Sequence, residues 1–278
     1  MAIGLVNRII PFSSVDGPGN RTAIFLQGCN FNCLYCHNPE TINLCRNCFM
    51  CVKNCPYGAL SIKEGKTIWD KNQCRKCDIC LKSCPYNSSP KVMAIETEEV
   101  VNEIKKVRKF INGITVSGGE CMLQSEFLVS LFEDTKNMEL TTFIDTNGSI
   151  PFWENQKLLA VMDMAMLDIK SFNAKEHKKL TDMDNSTVLK NVEFLGSIGK
   201  LYEIRTVIVP NILDNYNNVD CISKLITKIN PSIRYKLIKY RPLGVRKEMI
   251  DSCTPSDTMM NELVMISKTN GCNNVVIT

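Results

Sequence analysis

The stretch Cys29-Asn30-Phe31-Asn32-Cys33-Leu34-Tyr35-Cys36-His37-Asn38-Pro39-Glu40 decides how the rest of this 278-residue chain is read. Its three thiols, spaced C-x3-C-x2-C, can hold three irons of a cubane iron–sulfur cluster, and the run supplies no fourth thiol. Electron-transfer clusters and structural zinc sites are closed by four ligands. A three-cysteine loop therefore leaves one iron open, and an open iron is a place where a substrate binds. The loop follows Thr22-Ala23-Ile24-Phe25-Leu26-Gln27, an apolar run bounded by Gly19 and Gly28 that reads as a buried strand. The loop is thus expected at the C-terminal end of the first strand, the end that carries the chemistry in barrels of alternating strands and helices.

Downstream the composition changes. Cys45-x2-Cys48-x2-Cys51-x3-Cys55-Pro56-Tyr57 returns 29 residues later as Cys74-x2-Cys77-x2-Cys80-x3-Cys84-Pro85-Tyr86, every landmark in register. Repetition at a fixed offset means duplicated units packed on one another. The run is that of bacterial ferredoxins, in which the fourth cysteine ligates the other cluster. Cys45, Cys48, Cys51 and Cys84 are then expected to hold one cluster, and Cys74, Cys77, Cys80 and Cys55 the second. Zinc is the weaker alternative, because its sites have no need of a duplicated fourth cysteine followed by proline. Ala59-Leu60-Ser61-Ile62 and Lys66-Thr67-Ile68-Trp69 suit a short hairpin. Residues 44–90 are accordingly read as a small α+β, two-cluster ferredoxin-like insert, with 1–43 and 91–278 forming the main body. The remaining cysteines, Cys121, Cys221, Cys253 and Cys272, are scattered and read as small buried hydrophobes.

From Thr97, read as an N-cap, apolar residues at Val100, Val101, Ile104, Val107, Phe110 and Ile111 recur at helical spacing, and Gly113 is expected to end that helix. Strands are expected at 114–117, 141–145, 164–169, 201–209 and 235–239. Helices are expected at 126–136, 153–161, 174–180, 187–198, 219–229 and 257–269. With 22–27 paired to the helix at Thr97 this makes six strand–helix units, and such alternation implies a parallel sheet. A closed eight-unit barrel takes roughly 250 residues, and only about 230 remain outside the insert. The expected fold is therefore α/β, a partial (β/α)6 TIM-like barrel, with Asn274-Val275-Val276-Ile277 as an added edge strand.

A hydrophobic content of 44% with 22% charged residues is that of a globular protein. No apolar run of about 18 residues is present to span a bilayer, and Met1 to Arg8 lack the pattern of a signal peptide. A cytoplasmic location follows, in which clustered cysteines are metal ligands rather than disulfides. The formal charge of +4 counts every cysteine as neutral, whereas the expected clusters with their thiolates would add roughly −5. Neither a nucleic-acid nor a membrane partner is expected. Lys105-Lys106-Val107-Arg108-Lys109 reads as the solvent face of a helix, and His177, in Lys175-Glu176-His177-Lys178-Lys179, as a solvated side chain.

Ser117-Gly118-Gly119-Glu120, Asp145-Thr146-Asn147-Gly148 and Met166-Leu167-Asp168-Ile169-Lys170 each close a strand at the rim of the cluster loop. Glycines let backbone approach a ligand closely, and Glu120 can accept charge-assisted hydrogen bonds from an ammonium group. Taken singly each motif is also a turn or cap. At one rim they point to a ligand site. With Val15-Asp16-Gly17-Pro18-Gly19 and Gln27 to Glu40, these motifs resemble those of the activating enzymes of glycyl radical enzymes, within the radical SAM superfamily. The insert resembles that of the branch with two auxiliary clusters, the YjjW type.

The resemblance covers nearly the whole chain. It implies that Cys29, Cys33 and Cys36 carry a catalytic 4Fe-4S cluster whose open iron chelates S-adenosylmethionine, making three 4Fe-4S clusters in all. Gly118, Gly119 and Glu120 would hold the methionine end, and Tyr35, His37 and Asn38 would lie near the adenine or the incoming glycine. Asp145, Thr146, Met166 and Asp168 resemble a monovalent-cation site. Lys170 and Arg205 look like carboxylate or ribose contacts, and Asp16 would touch the protein substrate. Two positions depart from the pattern: Arg241 stands where many relatives have histidine, and Cys121 where proline often follows the glutamate. The implied reaction is anaerobic reductive cleavage of S-adenosylmethionine to a 5′-deoxyadenosyl radical, which abstracts a glycine α-hydrogen from a partner glycyl radical enzyme. A flavodoxin or ferredoxin-type protein would be the reductant, and the insert would relay electrons or dock the reductant or the partner. Two other readings stay open, a radical SAM enzyme acting on a small molecule or RNA and a ferredoxin-type electron carrier with an inert barrel.

Overall fold

The computed structural model, which describes residues 2–278, begins with β1 (Ile3–Ser13) and β2 (Arg21–Leu26), an antiparallel pair. The chain then leaves the sheet for α1 (Met50–Lys53), the hairpin β3 (Leu60–Lys63) and β4 (Lys66–Trp69), and α2 (Ile79–Lys82). It returns as β5 (Met93–Glu96), antiparallel to β1. Next come α3 (Thr97–Val107), β6 (Gly113–Gly118), α4 (Ser125–Lys136), β7 (Thr141–Thr146), α5 (Gln156–Val161) and β8 (Met164–Asp168). The chain ends with α6 (Ala174–Thr181), α7 (Ser186–Ser197), β9 (Leu201–Ile208), α8 (Asn215–Ile229), β10 (Arg234–Lys239), α9 (Asp257–Thr269) and β11 (Val275–Ile277).

Nine strands share one sheet in the order β11-β10-β9-β8-β7-β6-β2-β1-β5. From β2 through β11 every neighbouring pair is parallel. The end strands β5 and β11 do not pair with each other, so the sheet stays open. Alternation along each strand separates two faces. Ile144, Leu167, Ile204 and Leu237 enter a core with Ile104 of α3, Leu128 and Leu131 of α4, Ile222 of α8 and Leu263 of α9. Burying each such side chain contributes about 1.5–3 kcal/mol. The opposite face carries Asp145, Met166, Glu203, Arg205 and Lys236, and it leads to the rim where the cluster loop stands. Among the described residues no helix is long and apolar enough to cross a membrane.

Several expectations are corrected. The strand at Thr22 is the second, not the first, and it is β5 that leads directly into α3. Gly4, Asn7 and Pro11 interrupt β1, and its register shifts twice against β2, so no clean two-residue period marks it. Four-residue β5 is too short to show a period. Thr97 is the first helical residue and Glu96 the cap, joined to Glu99 in a capping box. Gly113 opens β6 rather than ending α3, which tightens into a 3-10 turn at Arg108–Phe110 and leaves Phe110 69% exposed. Cys121 and Cys272 are buried as expected, but Cys221 is half-buried and Cys253, in the irregular segment before α9, is exposed.

Between β2 and β5 the sequence repeat is also a repeat of conformation. Asn47 and Lys76 take left-handed φ values of 53° and 54°, and Phe49 and Asp78 values of 62° and 57°. Such values cost side-chain-bearing residues energy, and here the same device occurs twice at the repeat offset. The Asn47 and Lys76 amides each donate to the thiol two residues earlier, at 3.4 Å. Cys48 and Cys77 are exposed, while Cys51 and Cys80 are buried and pack with Leu60, Trp69 and Leu81. Among the described residues no three His, Cys, Asp or Glu side chains are grouped so as to hold a metal ion.

Candidate functional site

Gly28, at φ +101°, turns the chain out of β2 into the cluster loop. The loop is pinned on two sides. The Gly28 and Cys29 amides donate to the Thr41 and Ile42 carbonyls at 2.8 and 2.9 Å, and the Asn32 and Leu34 amides to the Thr181 and Leu180 carbonyls at 3.0 and 2.9 Å. The last two acceptors belong to the C-terminal turn of α6. Arg246, beyond β10, donates to Asn32 Oδ1 at 2.7 Å and to the Cys33 carbonyl at 2.8 Å. Phe31 packs edge-on against His177, ring centroids 5.4 Å apart. His177 is therefore not solvated: it is fully buried, with the Ser171 backbone as the polar group that favours its charged form. Its charged neighbours in sequence conceal that the other side of α6 supports the cluster loop. Burial lowers its pKa to about 4.

Cys29, Cys33 and Cys36 are free thiols. Burial pushes Cys29 up to about 11 and Cys33 up to about 12, and raises Cys36. Cys36 raises the pKa of both Cys29 and Cys33, Cys29 also raises that of Cys33, and Lys170 favours all three thiolates. Three thiols on one short loop, whose backbone is already hydrogen-bonded elsewhere, suit a cubane with one open iron in number and spacing. They are protonated when free, and taking up iron releases those protons.

Facing the loop is a ledge after β6. A Cβ at Gly118, whose φ is +124°, would stand 2.2 Å from the Leu26 backbone, and one at Gly119 would stand 2.1 Å from the Gly28 carbonyl oxygen. The Gly119 and Glu120 amides donate to Leu26 and Gly28 at 3.0 and 2.8 Å. The two glycines thus let the ledge lie flush on the cluster loop, a reason distinct from approach to a ligand. Glu120 is fully buried and accepts from the Met122 amide at 3.0 Å, Thr146 Oγ1 at 2.8 Å and the Asn147 amide at 2.7 Å. Burial raises its pKa to about 7 against the pull of those donors. Its first task is to hold the loop after β7, whose Asn147 brings its side-chain amide to 3.8 Å from Cys29 Sγ.

On the polar face of the sheet Asp145 accepts from Ser117 at 3.0 Å and from Arg205 at 2.8 Å. Arg205 also bonds Glu203 at 2.6 Å and lies 3.0 Å from Met166 Sδ. Burial raises the Asp145 pKa while Arg205 opposes it. Burial disfavours the Arg205 charge, but Asp145, Asp168 and Glu203 outweigh it and raise its pKa. Asp168 pairs with Lys170 at 2.5 Å. Burial likewise works against the Lys170 charge, and Asp168, Tyr35 and Cys33 overcome it. The Lys170 ammonium sits 5.8 Å from the Tyr35 ring, and the buried Tyr35 hydroxyl has no partner. Such a group invites a ligand.

Other expected residues fall in varied places. His37 Nε2 lies 3.0 Å from the Arg241 carbonyl, so position 241 meets the loop through its backbone while its side chain is exposed. Asn38 is exposed, its carbonyl accepting from Thr41. Cys121 is buried, its thiol 3.4 Å from the Asp145 carbonyl. Asp16 accepts from Ser13 in the turn between β1 and β2, and its carbonyl accepts from Thr115 Oγ1 in the middle of β6 at 2.5 Å, which brings it over the polar face within the electrostatic reach of Asp145. The side chains of Asp145, Thr146, Met166 and Asp168, at the ends of the neighbouring strands β7 and β8, are engaged by the protein itself: Arg205 takes Asp145 and Met166, Glu120 takes Thr146, and Lys170 takes Asp168. Arg246, Asn30, Asn147 and Glu203 were not singled out from sequence. Asn147 stood inside a quoted motif, whereas Arg246 lies 214 residues from its partner Asn32 with no local signal.

Comparison with known proteins gives concordant findings. A family model described as the Radical SAM superfamily matches residues 23–219. The chain is 31% identical over 250 residues to the pyruvate formate-lyase-activating enzyme of Streptococcus mutans, covering 87% of this chain and 79% of that protein. It is 31% identical over 266 residues to the (2S)-3-sulfopropanediol dehydratase activating enzyme of Klebsiella oxytoca, covering 88% and 84%. The crystal structure of QueE from Escherichia coli is similar in fold, with a TM-score of 0.56 at 12% identity over 99% of this chain and 94% of that one.

Proposed function

The chain belongs to the radical SAM superfamily, and on that premise we propose that it activates a partner glycyl radical enzyme by taking the α-hydrogen of one glycine. The observation that carries the proposal is the three-thiol loop pinned against the Gly118–Gly119–Glu120 ledge. It stands in a chain about 30% identical over most of its length to relatives named as activating enzymes.

When bound, a four-iron cluster and S-adenosylmethionine supply a 5′-deoxyadenosyl radical and methionine by one-electron reductive cleavage. Cys29, Cys33 and Cys36 would hold three irons and leave the fourth to the methionine amino and carboxylate groups. Gly118 and Gly119 keep the ledge against the loop, and Glu120 keeps Asn147 beside Cys29. Lys170 and Arg205, held in place by Asp168, Asp145 and Glu203, are preorganised cations for carboxylate or ribose oxygens. Tyr35, His37 and Asn38 border the adenine or the incoming glycine, and Asp16 is assigned to the partner. A monovalent cation at Asp145, Thr146, Met166 and Asp168 would need oxygens of these residues other than those already bonded to Arg205, Glu120 and Lys170.

Residues 44–90 are assigned as a ferredoxin-like insert with two further 4Fe-4S clusters, on Cys45, Cys48, Cys51 and Cys84 and on Cys74, Cys77, Cys80 and Cys55. The doubled left-handed turns support this assignment. The insert is tied to the catalytic loop: Asn43, next to the carbonyl that caps Cys29, pairs with Ser88, and Ser88 Oγ lies 3.3 Å from Cys84 Sγ.

The test is anaerobic incubation of the reconstituted protein with S-adenosylmethionine, a flavodoxin or ferredoxin-type reductant and each candidate glycyl radical enzyme, read by electron paramagnetic resonance. A glycyl radical signal is expected with one partner. Turnover with a metabolite or RNA and no protein partner would overturn the proposal in favour of another radical SAM reaction.

A further inference from the structure

Charge and exposed apolar surface are unevenly placed on this chain. Residues 44–90 hold eight of its 33 lysines and arginines but three of its 29 acids, so this segment carries +5 and the rest of the chain −1. All eight cations are exposed. Two pairs, Arg46 with Arg75 and Lys53 with Lys82, recur at the repeat offset, so both repeats present the same charges. The segment also holds seven of the eighteen large apolar side chains that stand exposed among the described residues, including Met50, Tyr57, Ile62, Ile68 and Tyr86. On the hairpin, Ile68 pairs with Ser61 and Lys63 with Lys66, which puts Ile68, Lys63 and Lys66 on one outer face. Exposed apolar groups among mainly basic side chains, eight cations against the three exposed acids Glu64, Asp70 and Asp78, mark a protein-binding surface.

We infer that the outer face of residues 44–90 is the docking surface for an acidic one-electron carrier protein. The inference rests on the two-cluster reading of this segment. The charge complement calls for an acidic partner, and the redox ligands decide its kind. Cys48 and Cys77 are exposed on this segment. A cleft of about 1010 Å³ between the second repeat and the edge formed by β1, β5 and α3 reaches Cys74; its wall is of mixed charge, with Lys71 and Lys76 on the segment's side and Glu99 and Glu103 on α3, so it offers a path to Cys74 rather than a basic patch. A glycyl radical enzyme, by contrast, must bring its glycine to the rim at Cys29 and Glu120. Ligating thiolates and their cores would add roughly −4 and bring the segment to about +1, so the attraction for an acidic partner is carried by local groups of exposed cations such as Lys63 and Lys66 rather than by net charge. The carrier is oxidised by one electron and the iron–sulfur group reduced by one, with no bond formed or broken. Such encounters are small in area and steered by charge.

The test compares wild type with the double variant Lys63→Glu/Lys66→Glu, whose native lysine side chains make no hydrogen bond or ion pair among the described residues, and with Ile68→Asp on the same face. Lys190→Glu, exposed on α7, serves as control. Binding of a flavodoxin is followed by fluorescence anisotropy on reconstituted protein, and S-adenosylmethionine cleavage is driven in parallel by dithionite. Steering of this kind changes association rates by about 10- to 1000-fold. Flavodoxin binding is expected to weaken at least tenfold in the double variant at low ionic strength, the difference shrinking in high salt. Ile68→Asp should weaken binding at all salt concentrations, and the dithionite-driven rate should hold in every variant. Equal flavodoxin affinity in wild type and both variants overturns the inference, as does loss of glycyl radical enzyme binding with flavodoxin binding intact. If wild type fails to cleave S-adenosylmethionine with dithionite, the catalytic proposal fails, while the anisotropy result still decides the docking surface.

Discussion

Replacing Glu120 with glutamine is expected to give a stability difference that changes with pH. The carboxylate is fully buried with three donors on its two oxygens, and its pKa is raised from 4.5 to about 7. In the unfolded chain Glu120 ionises near 4.5, in the folded chain only near 7. Its contribution is therefore fully present below pH 4.5 and is lost as pH rises through 7. A shift of that size corresponds to roughly 3 kcal/mol. Glutamine cannot ionise, but it offers a single acceptor oxygen, so one of the donors from Met122, Thr146 and Asn147 meets an amide N–H instead, at about 1–3 kcal/mol. The variant should thus be less stable than wild type at pH 4.5, and level with it or more stable by pH 8. The assay is urea unfolding of the metal-free proteins between pH 4.5 and 8.5, read by circular dichroism. A difference that stays constant across this range would refute the reasoning, because it would mean that the buried carboxyl does not change ionisation between folded and unfolded chains.

Cys33→Ala should abolish S-adenosylmethionine cleavage and lower iron from about twelve to about eight per chain, by colorimetric iron assay and product chromatography; full cleavage activity would remove this loop from catalysis. Gly119→Ala drives a Cβ into the Gly28 carbonyl and should cost about 1–3 kcal/mol, seen as a lower melting temperature with loss of iron at the catalytic site. His177 is buried as a neutral ring with its pKa lowered to about 4, so its contribution is present above pH 6.5 and lost as pH falls through 4. His177→Leu should therefore gain up to roughly 3 kcal/mol on wild type between pH 6.5 and 4, measured by the same urea titration. Arg205→Gln leaves the Asp145 carboxylate without its cation and should cost about 3–5 kcal/mol. Arg205→Lys should recover only part of that in thermal melts, because one ammonium cannot reproduce the fork between Asp145 and Glu203.

Features written in local spacing were legible before any coordinates. The cysteine loop, the repeat at 29 residues and the alternation of strand and helix from Ile114 onward need only neighbours in sequence, and periodicity reports which side of an element is apolar. Even so, β1 and β5 went unread where glycine, proline, bulges and brevity erase the period. His177 was misread because four charged neighbours describe one side of α6, while Phe31, 146 positions away in sequence, occupies the other.

The candidate site divides in the same way. Its composition was decided by the chain alone: which residues stand at the ends of β2, β6, β7 and β8, and how many thiols the loop can offer an iron. What those residues are free to do was decided by tertiary structure. Only there does Gly119 prove to be glycine because of the Gly28 carbonyl, Glu120 prove committed to Met122, Thr146 and Asn147, and Arg205 take Asp145 and Met166. The reason is physical. A residue's type and its spacing to near neighbours are local quantities, whereas burial and the filling of a hydrogen-bonding group depend on partners brought in by the fold from anywhere along the chain.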